Sequence, residues 1–166
     1  AITINKRSLA KKQAEGITIM MQAKDLRLTF NPGTPIENPA LRGIDLNIAD
    51  GEFVTVIGTN GAGKSTFLNA VSGTTRVDSG SILLNGIDVT KKSAHQRAHW
   101  VARVFQDPMA GTCEALTIEE NMALAYKRGG IRELSFALNP NNRELSKGAL
   151  SVLGRGRENR LTDRMD

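Results

Sequence analysis

Hydrophobic and polar residues alternate in two stretches within the first third of the chain. The first begins between residues 17 and 21 and runs to Phe30, with Leu26 and Leu28 on the same face. The second covers residues 41–48 and alternates in the same way. A period of two residues is typical of a strand with one buried face. The pattern therefore predicts an antiparallel β part at the start of the fold.

Short apolar runs predict three further strands. Residues 52–57 are apolar and partly β-branched, which favours a buried strand, and a hairpin-type Asp-Gly turn at residues 50–51 precedes them. Residues 81–84 form a second run that ends at the Asn-Gly turn of residues 85–86. The third run covers residues 101–105. We expect the β structure to continue through all three.

Two helices are predicted in the last third of the chain. Residues 117–127 have helical spacing, Thr117 can cap their first turn, and two glutamates load that turn with negative charge. Residues 144–153 have similar spacing and are followed by a stop signal, Gly154.

A nine-residue, glycine-rich segment fits the phosphate-binding pattern of Gly, four residues, Gly-Lys-Ser/Thr. Its glycines allow the main chain to close around a phosphate, and its N–H groups form a concave nest for anions. A helix that begins near Lys64 and stops at Gly73 adds its positive N-terminal end. Lys64 is expected to reach the outer phosphates, and the Ser65 hydroxyl to hold Mg²⁺. The predicted binding residues are Gly58, Thr59, Asn60, Gly61, Ala62, Gly63, Lys64, Ser65 and Thr66.

Composition is that of an ordinary globular domain with an aliphatic core. The chain has 166 residues, of which 40% are hydrophobic and only 4% aromatic. A single cysteine, Cys113, excludes an internal disulfide and fits a reducing compartment. His95 and His99 lack partners with metal-ligand spacing.

Net charge is +5, but its distribution argues against a nucleic-acid-binding face. Residues 20–142 carry equal numbers of cations and anions, and the excess lies in residues 1–19 and 143–166. Basic ends on a neutral body are weak grounds for a nucleic-acid partner, so none is expected.

Further motifs surround the phosphate loop. They cover residues 41–52, residues 73–88, the Val-Phe-Gln-Asp-Pro segment at 104–108 and the Leu-Thr-Ile-Glu-Glu-Asn segment at 116–121. Together they resemble the ATP-binding subunits of ABC transporters over residues 21–166. The resemblance implies an α/β fold: a P-loop NTPase core with an N-terminal antiparallel β part and the start of a helical subdomain. It implies a disordered lead-in at residues 1–19, an ATP-binding core at 20–110 and the start of the helical subdomain at 111–166.

The resemblance also assigns roles to two residues outside the phosphate loop. Phe30 stands where the family places an aromatic ring against adenine, with core packing as the alternative. Gln106 stands where the family's Q-loop glutamine contacts Mg²⁺, with an ordinary polar loop residue as the alternative. The implied cofactors are ATP and Mg²⁺.

Several family motifs are not found in these residues. The Leu-Ser-Gly-Gly-Gln signature, the apolar run before Asp-Glu (Walker B) and the switch histidine are missing, so no catalytic residue is assigned. The sequence is expected to be an incomplete ABC ATPase domain, truncated before the signature, that binds ATP without efficient hydrolysis.

For the complete protein, the resemblance implies ATP hydrolysis that powers transmembrane transport, with import favoured. The implied partners are a second ATPase subunit in a head-to-tail dimer, a membrane permease and, for an importer, a binding protein. The implied location is cytoplasmic, on the inner face of the cell membrane. Two alternatives stay open: a non-transport ABC ATPase, or another P-loop nucleotide-binding enzyme.

Overall fold

The computed structural model describes residues 18–127, 140–152 and 160–164. The chain divides into two compact units, Ala1–Val101 and Ala102–Asp166. The predicted lead-in at residues 1–19 falls almost entirely outside the described residues.

From residue 18 onwards, the first unit is built from a four-stranded antiparallel sheet and two helices. The strands follow the order β2-β1-β3-β4 across the sheet. The two long strands that the alternation predicted are both present and pair with each other, Leu28 opposite Leu41 and Ala23 opposite Leu46. In chain order the elements are β1 (Ile19–Phe30), β2 (Asn38–Ala49), α1 (Lys64–Ser72), β3 (Ser79–Leu84), β4 (Ile87–Asp88) and α2 (Ala94–Arg97).

The Asn-Gly signal between β3 and β4 is confirmed. Asn85 and Gly86 have φ angles of +48° and +76°, and the turn that they form joins two antiparallel strands. Two consecutive residues at positive φ are what a tight hairpin turn of this kind requires.

The core of the first unit lies between the sheet and α1. It is aliphatic, as the composition predicts, apart from Phe67, and side chains from three strands and one helix meet there. Burying a leucine side chain contributes about 1.5–3 kcal/mol, so the sheet and α1 stabilise each other. The most buried members are Leu26, Leu28, Leu41, Phe67, Ala70, Ile82, Leu84 and Val89.

Two of the predicted strands are wrong. Residues 52–57 form no strand beyond a single bridge residue, Ile57, and residues 101–105 have no regular structure. Phe53 is 92% exposed and Val104 96% exposed. An apolar run becomes a buried strand only when neighbouring strands offer hydrogen bonds on its edges. Within the described residues, neither run has such a neighbour.

The helix that follows the phosphate loop begins and ends where the sequence predicts. It starts at Lys64 and stops at Gly73, whose φ of +79° is the left-handed C-cap conformation. The Gly73 N–H donates to the Ala70 carbonyl at 3.2 Å.

In its described residues, the second unit contains a 3₁₀ turn, Pro108–Gly111, and two helices, α3 (Ile118–Tyr126) and α4 (Pro140–Ser151). The predicted Thr117 cap is confirmed: its hydroxyl accepts from the Glu120 N–H, and the Glu120 carboxylate accepts from the Thr117 N–H at 2.8 Å. The bonds that the Glu120 carboxylate accepts from the Thr117 N–H and from the Thr117 hydroxyl hold the pKa of Glu120 below its usual range. α4 begins four residues before the predicted start at Glu144, and the predicted stop, Gly154, lies outside the described residues.

Within the described ranges, no helix combines the length and the apolar character needed to cross a membrane.

Candidate functional site

The phosphate loop is a tight turn that rests on strand β2. Gly61 and Gly63 have φ angles of +80° and +87°, a region that disfavours side chains. A Cβ on Gly63 would lie 2.5 Å from the Ala40 carbonyl oxygen, closer than packing allows. The Ala62 N–H donates to the Thr59 carbonyl at 3.1 Å and closes the turn. Gly63 is therefore required both for its conformation and for the approach to β2.

The Lys64 side chain folds back onto the start of this loop. Its Nζ donates to the Gly58 carbonyl at 2.6 Å and to the Thr59 carbonyl at 2.8 Å. An ammonium group carries three donor hydrogens. Two of them hold the lysine in place, and the third is left for a ligand. The loop thus carries a positioned positive charge.

The N-terminus of α1 adds hydrogen-bond donors. Its N-cap residue is Gly63, and no side chain caps the helix. The first N–H groups of an α-helix have no partner inside the helix, and the helix dipole makes this end positive. Residues 64–66 belong to this first turn and line the cavity described next. The site therefore favours an anion such as a phosphate group.

A cavity of about 410 Å³ joins the phosphate loop to the far end of the β1–β2 hairpin. Its volume is within the range of small-molecule sites. Phe30, the last residue of β1, is 40% exposed and does not belong to the buried core. The lining residues are Phe30, Asn38, Ala40, Asn60, Gly61, Ala62, Gly63, Lys64, Ser65 and Thr66.

Two of these lining residues, Asn38 and Ala40, were not among the residues predicted from the sequence. Asn38 is the cross-strand partner of Phe30 in the sheet register. The only signal that could have pointed to it is the hairpin itself, since the first residue after the connecting loop must lie opposite the last one before it.

Gln106 lies in the second unit, whereas the phosphate loop lies in the first. It is exposed and follows Phe105, whose ring lies 4.8 Å from the Arg103 guanidinium. The next residue, Asp107, caps the 3₁₀ turn by accepting from the Met109 N–H at 2.9 Å. The structure brings Phe30 and residues 60–66 together but describes no site shared with Gln106.

The donors that this cavity offers to a metal ion are neutral oxygens. The Ser65 and Thr66 residues, which carry hydroxyl groups, line it. Among the described residues, no group of three or more His, Cys, Asp or Glu side chains could hold a metal by itself. Mg²⁺ is commonly held by a few protein oxygens together with the phosphates of its substrate. The site fits a metal ion that arrives with a phosphorylated ligand.

Comparison with known proteins gives a consistent result. A family model described as "ABC transporter" matches residues 41–164. A tyrosine transport ATP-binding protein of Clostridioides difficile (strain R20291) is 43% identical over 121 residues, which is 72% of this chain and 47% of that protein. The EcfA2 energy-coupling factor transporter ATP-binding protein of Clostridium acetobutylicum is 36% identical over 115 residues, covering 68% of this chain and 40% of that protein.

The chain spans about half the length of the curated relatives that it matches. Among solved structures, the ADP- and Pi-bound dimeric ATP-binding cassette MJ0796 gives a TM-score of 0.67 at 24% identity. The alignment covers 88% of this chain and 62% of that one. These likenesses confirm the α/β P-loop fold class predicted from the sequence.

Proposed function

Because this chain belongs to the ABC transporter family of ATP-binding proteins, we propose that the cavity at its phosphate loop binds ATP with Mg²⁺. The observation that carries the proposal is the arrangement of three features around one cavity. A positioned ammonium, an uncapped helix N-terminus and a half-exposed aromatic ring line or border it. A triphosphate needs the first two features, and a base needs the third.

Each feature has a separate task in the proposal. The N–H groups of Gly61 and of residues 63–66, together with the Lys64 ammonium, bind the phosphates through charge-assisted hydrogen bonds. The Phe30 ring stacks on the base, a contact that every base can make. Ser65 and Gln106 would supply neutral oxygens to Mg²⁺, whose charge would offset that of the phosphates.

For the complete protein, we propose ATP hydrolysis that powers transmembrane import. The proposed partners are a second ATPase subunit, a membrane permease and a binding protein, and the proposed location is the cytoplasmic face of the cell membrane. Support comes from the dimeric cassettes that share the fold and from the relatives named for transport. The relative named for tyrosine transport makes an amino acid the first cargo to test.

Calorimetric titration of the purified chain tests the nucleotide site. Affinity should fall steeply from ATP to AMP and again to adenosine, since the phosphates meet most of the donors, and Mg²⁺ should strengthen ATP binding. Equal affinities for ATP and adenosine, or no binding of ATP, would contradict the proposal. Hydrolysis and cargo are tested separately, by phosphate release from the complete protein and by uptake of labelled tyrosine into vesicles that carry the complete transporter.

A further inference from the structure

A charged side chain is buried at the C-terminal end of α1, the end of the helix away from its cavity-lining first turn. Arg97, the last residue of α2, is only 1% exposed. Within the described residues it has no ion pair, and its hydrogen bonds go to main-chain carbonyls. Burying a guanidinium costs free energy unless its N–H groups have hydrogen-bond acceptors. The acceptors around Arg97 therefore indicate its structural role.

The Arg97 guanidinium donates hydrogen bonds to four main-chain carbonyl groups. Nη1 donates to the carbonyls of Ala70 at 2.6 Å and Val71 at 2.8 Å, both in the last turn of α1. Nη2 donates to the Thr90 carbonyl and Nε to the Lys92 carbonyl, each at 2.9 Å. The side chain thus ties the C-terminal end of α1 to the segment that connects β4 and α2.

The charge of Arg97 suits this position. The last carbonyls of a helix have no partner inside it and form the negative end of its dipole. A positive charge there is favourable, and it complements the open, positive N-terminus at the phosphate loop. Burial lowers the pKa of the Arg97 guanidinium from its ordinary value, while the nearby Asp88 charge opposes that change.

The neighbouring residues leave room for this contact. A Cβ on Gly73 would lie 2.9 Å from Arg97 Nε and 3.0 Å from Arg97 Cδ. Ser93 and Gln96 form a capping box around the short helix that carries Arg97: the Gln96 side chain accepts from the Ser93 N–H at 2.9 Å. Gly73 at the end of α1 and the cap of α2 therefore both serve to place the guanidinium.

We propose that Arg97 is a positioning residue for the phosphate site and acts through α1. The helix has nine residues, so it is about 14 Å long, and its first turn lines the cavity. Phe67 and Ala70 anchor its middle in the core, and Arg97 fixes its far end. With that end held, the N–H groups of residues 64–66 keep their direction towards a bound phosphate. The inference rests on the proposed function of the cavity as a phosphate site.

The test uses Arg97→Met, which keeps an apolar stem and removes all four hydrogen bonds. Titrations with MgATP and with inorganic tripolyphosphate are run at a temperature at which circular dichroism shows the variant folded. The matched control is Leu84→Ala, which weakens the same core from β3, a strand that contributes no residue to the cavity lining. Arg97→Met should weaken both ligands fivefold or more, and Leu84→Ala should leave both affinities within twofold.

A second variant keeps the inference testable if Arg97→Met does not fold. Arg97→Lys retains the charge but has fewer donors, so it should lose part of the affinity for both ligands, between the wild-type and fivefold-weakened values. Ser93 is exposed, and Ser93→Ala loosens only the cap of α2. This variant should also weaken both ligands, but by a smaller factor than Arg97→Met. The inference would be overturned if the folded Arg97 variants bound both ligands with wild-type affinity. It would also be overturned if Leu84→Ala lost as much affinity as Arg97→Met. Absence of ATP binding by the wild-type chain would instead overturn the proposed function.

Discussion

Lys64 combines a charge, a fixed position and a remaining donor hydrogen. Its two contacts to the Gly58 and Thr59 carbonyls hold the ammonium beside the loop. No other lysine lines the cavity within the described residues. The phosphate affinity of the site should therefore depend on this side chain more than on the net charge of the protein.

Lys64→Ala should weaken ATP binding tenfold or more, equivalent to about 1.4 kcal/mol, because charge-assisted hydrogen bonds to the phosphates are lost. Displacement of a fluorescent ATP analogue measures the loss of affinity. Lys91→Ala removes the same charge from an exposed position outside the cavity lining and should change affinity by less than twofold. Equal losses in the two variants would mean that only long-range charge matters.

Phe30→Ala should lose roughly 1–3 kcal/mol of binding free energy for ATP and a similar amount for GTP, since base stacking is tolerant of base identity. Competition titrations with both nucleotides measure the loss. Phe53→Ala is the control, because Phe53 is an exposed phenylalanine that does not line the cavity. Unchanged affinities in Phe30→Ala would show that its ring has no part in binding.

The sequence pattern predicted the phosphate loop and the family resemblance predicted a role for Phe30, but neither pointed to Asn38 or Arg97. The loop is a local motif, in which spacing alone fixes which N–H groups converge. Arg97 contacts carbonyls 26 and 27 residues earlier in the chain, and nothing in its local pattern distinguishes it from an exposed arginine. Contacts of this kind become visible only when the packing of α1 against the following segment is known.

Two capping boxes among the described residues use the same geometry with different chemistry. The box at α2 pairs Ser93 with a neutral Gln96, and the box at α3 pairs Thr117 with the charged Glu120. Hydrogen bonds from the Thr117 N–H and hydroxyl lower the pKa of Glu120. Only the cap of α3 is therefore expected to respond to pH.

A carboxylate whose pKa is lower in the folded state stabilises the fold above its unfolded pKa, and the contribution is lost as pH falls through the folded value. Wild type should therefore lose stability relative to Glu120→Gln as the pH falls below about 4.3, the ordinary value for a glutamate. Urea unfolding between neutral and acid pH measures the difference. A difference that does not change with pH would contradict this account of the cap.

Gly80 lies in β3 beside a bulge in β1, where Asp25 has a φ of +45°. A Cβ on Gly80, itself at φ +94°, would overlap the carbonyl oxygens of Lys24 and Asp25. Gly80→Ala should therefore combine backbone strain with a steric overlap, each of which costs about 1–3 kcal/mol. Gly33→Ala is the control, since Gly33 also has positive φ but open space around it. Denaturant unfolding should show the larger loss for Gly80→Ala.

Elements with a complete local signal could be predicted from the sequence, and those that need distant partners could not. β1, β2, α1, α3 and the Asn85-Gly86 turn each carry their own alternation, cap or turn residues. Residues 52–57 and 101–105 carry only apolar composition, which indicates burial but supplies no neighbouring strand. The bulge at Asp25 was also not predicted, because it depends on the pairing of β1 with both of its neighbours.

On the scale of the whole molecule, the uncovered apolar side chains should govern solution behaviour. Phe53 is 92% exposed and Ile57 69% exposed. Exposed apolar side chains favour association with other chains. Both side chains belong to the run of residues 52–57, which forms no strand in the described structure.

A Phe53→Ser/Ile57→Ser variant of the isolated chain should self-associate less and bind less anilinonaphthalene sulfonate, with little change in its unfolding midpoint, because neither side chain contributes to the core. Sedimentation velocity and dye fluorescence measure both effects. Ile36→Ser removes a 72% exposed isoleucine from the polar loop between β1 and β2 and should leave association unchanged. Equal association in wild type and the double variant would place the contact elsewhere.

The cavity-lining residues all lie between Phe30 and Thr66, and this contiguity has a consequence during protein synthesis. The chain leaves the ribosome from its N-terminus at about 5–20 residues per second. The lining residues, the sheet that supports them and Arg97 all belong to the first unit, which ends at Val101. The nascent chain therefore holds every part of the phosphate loop and its supporting core before any residue of the second unit has been translated.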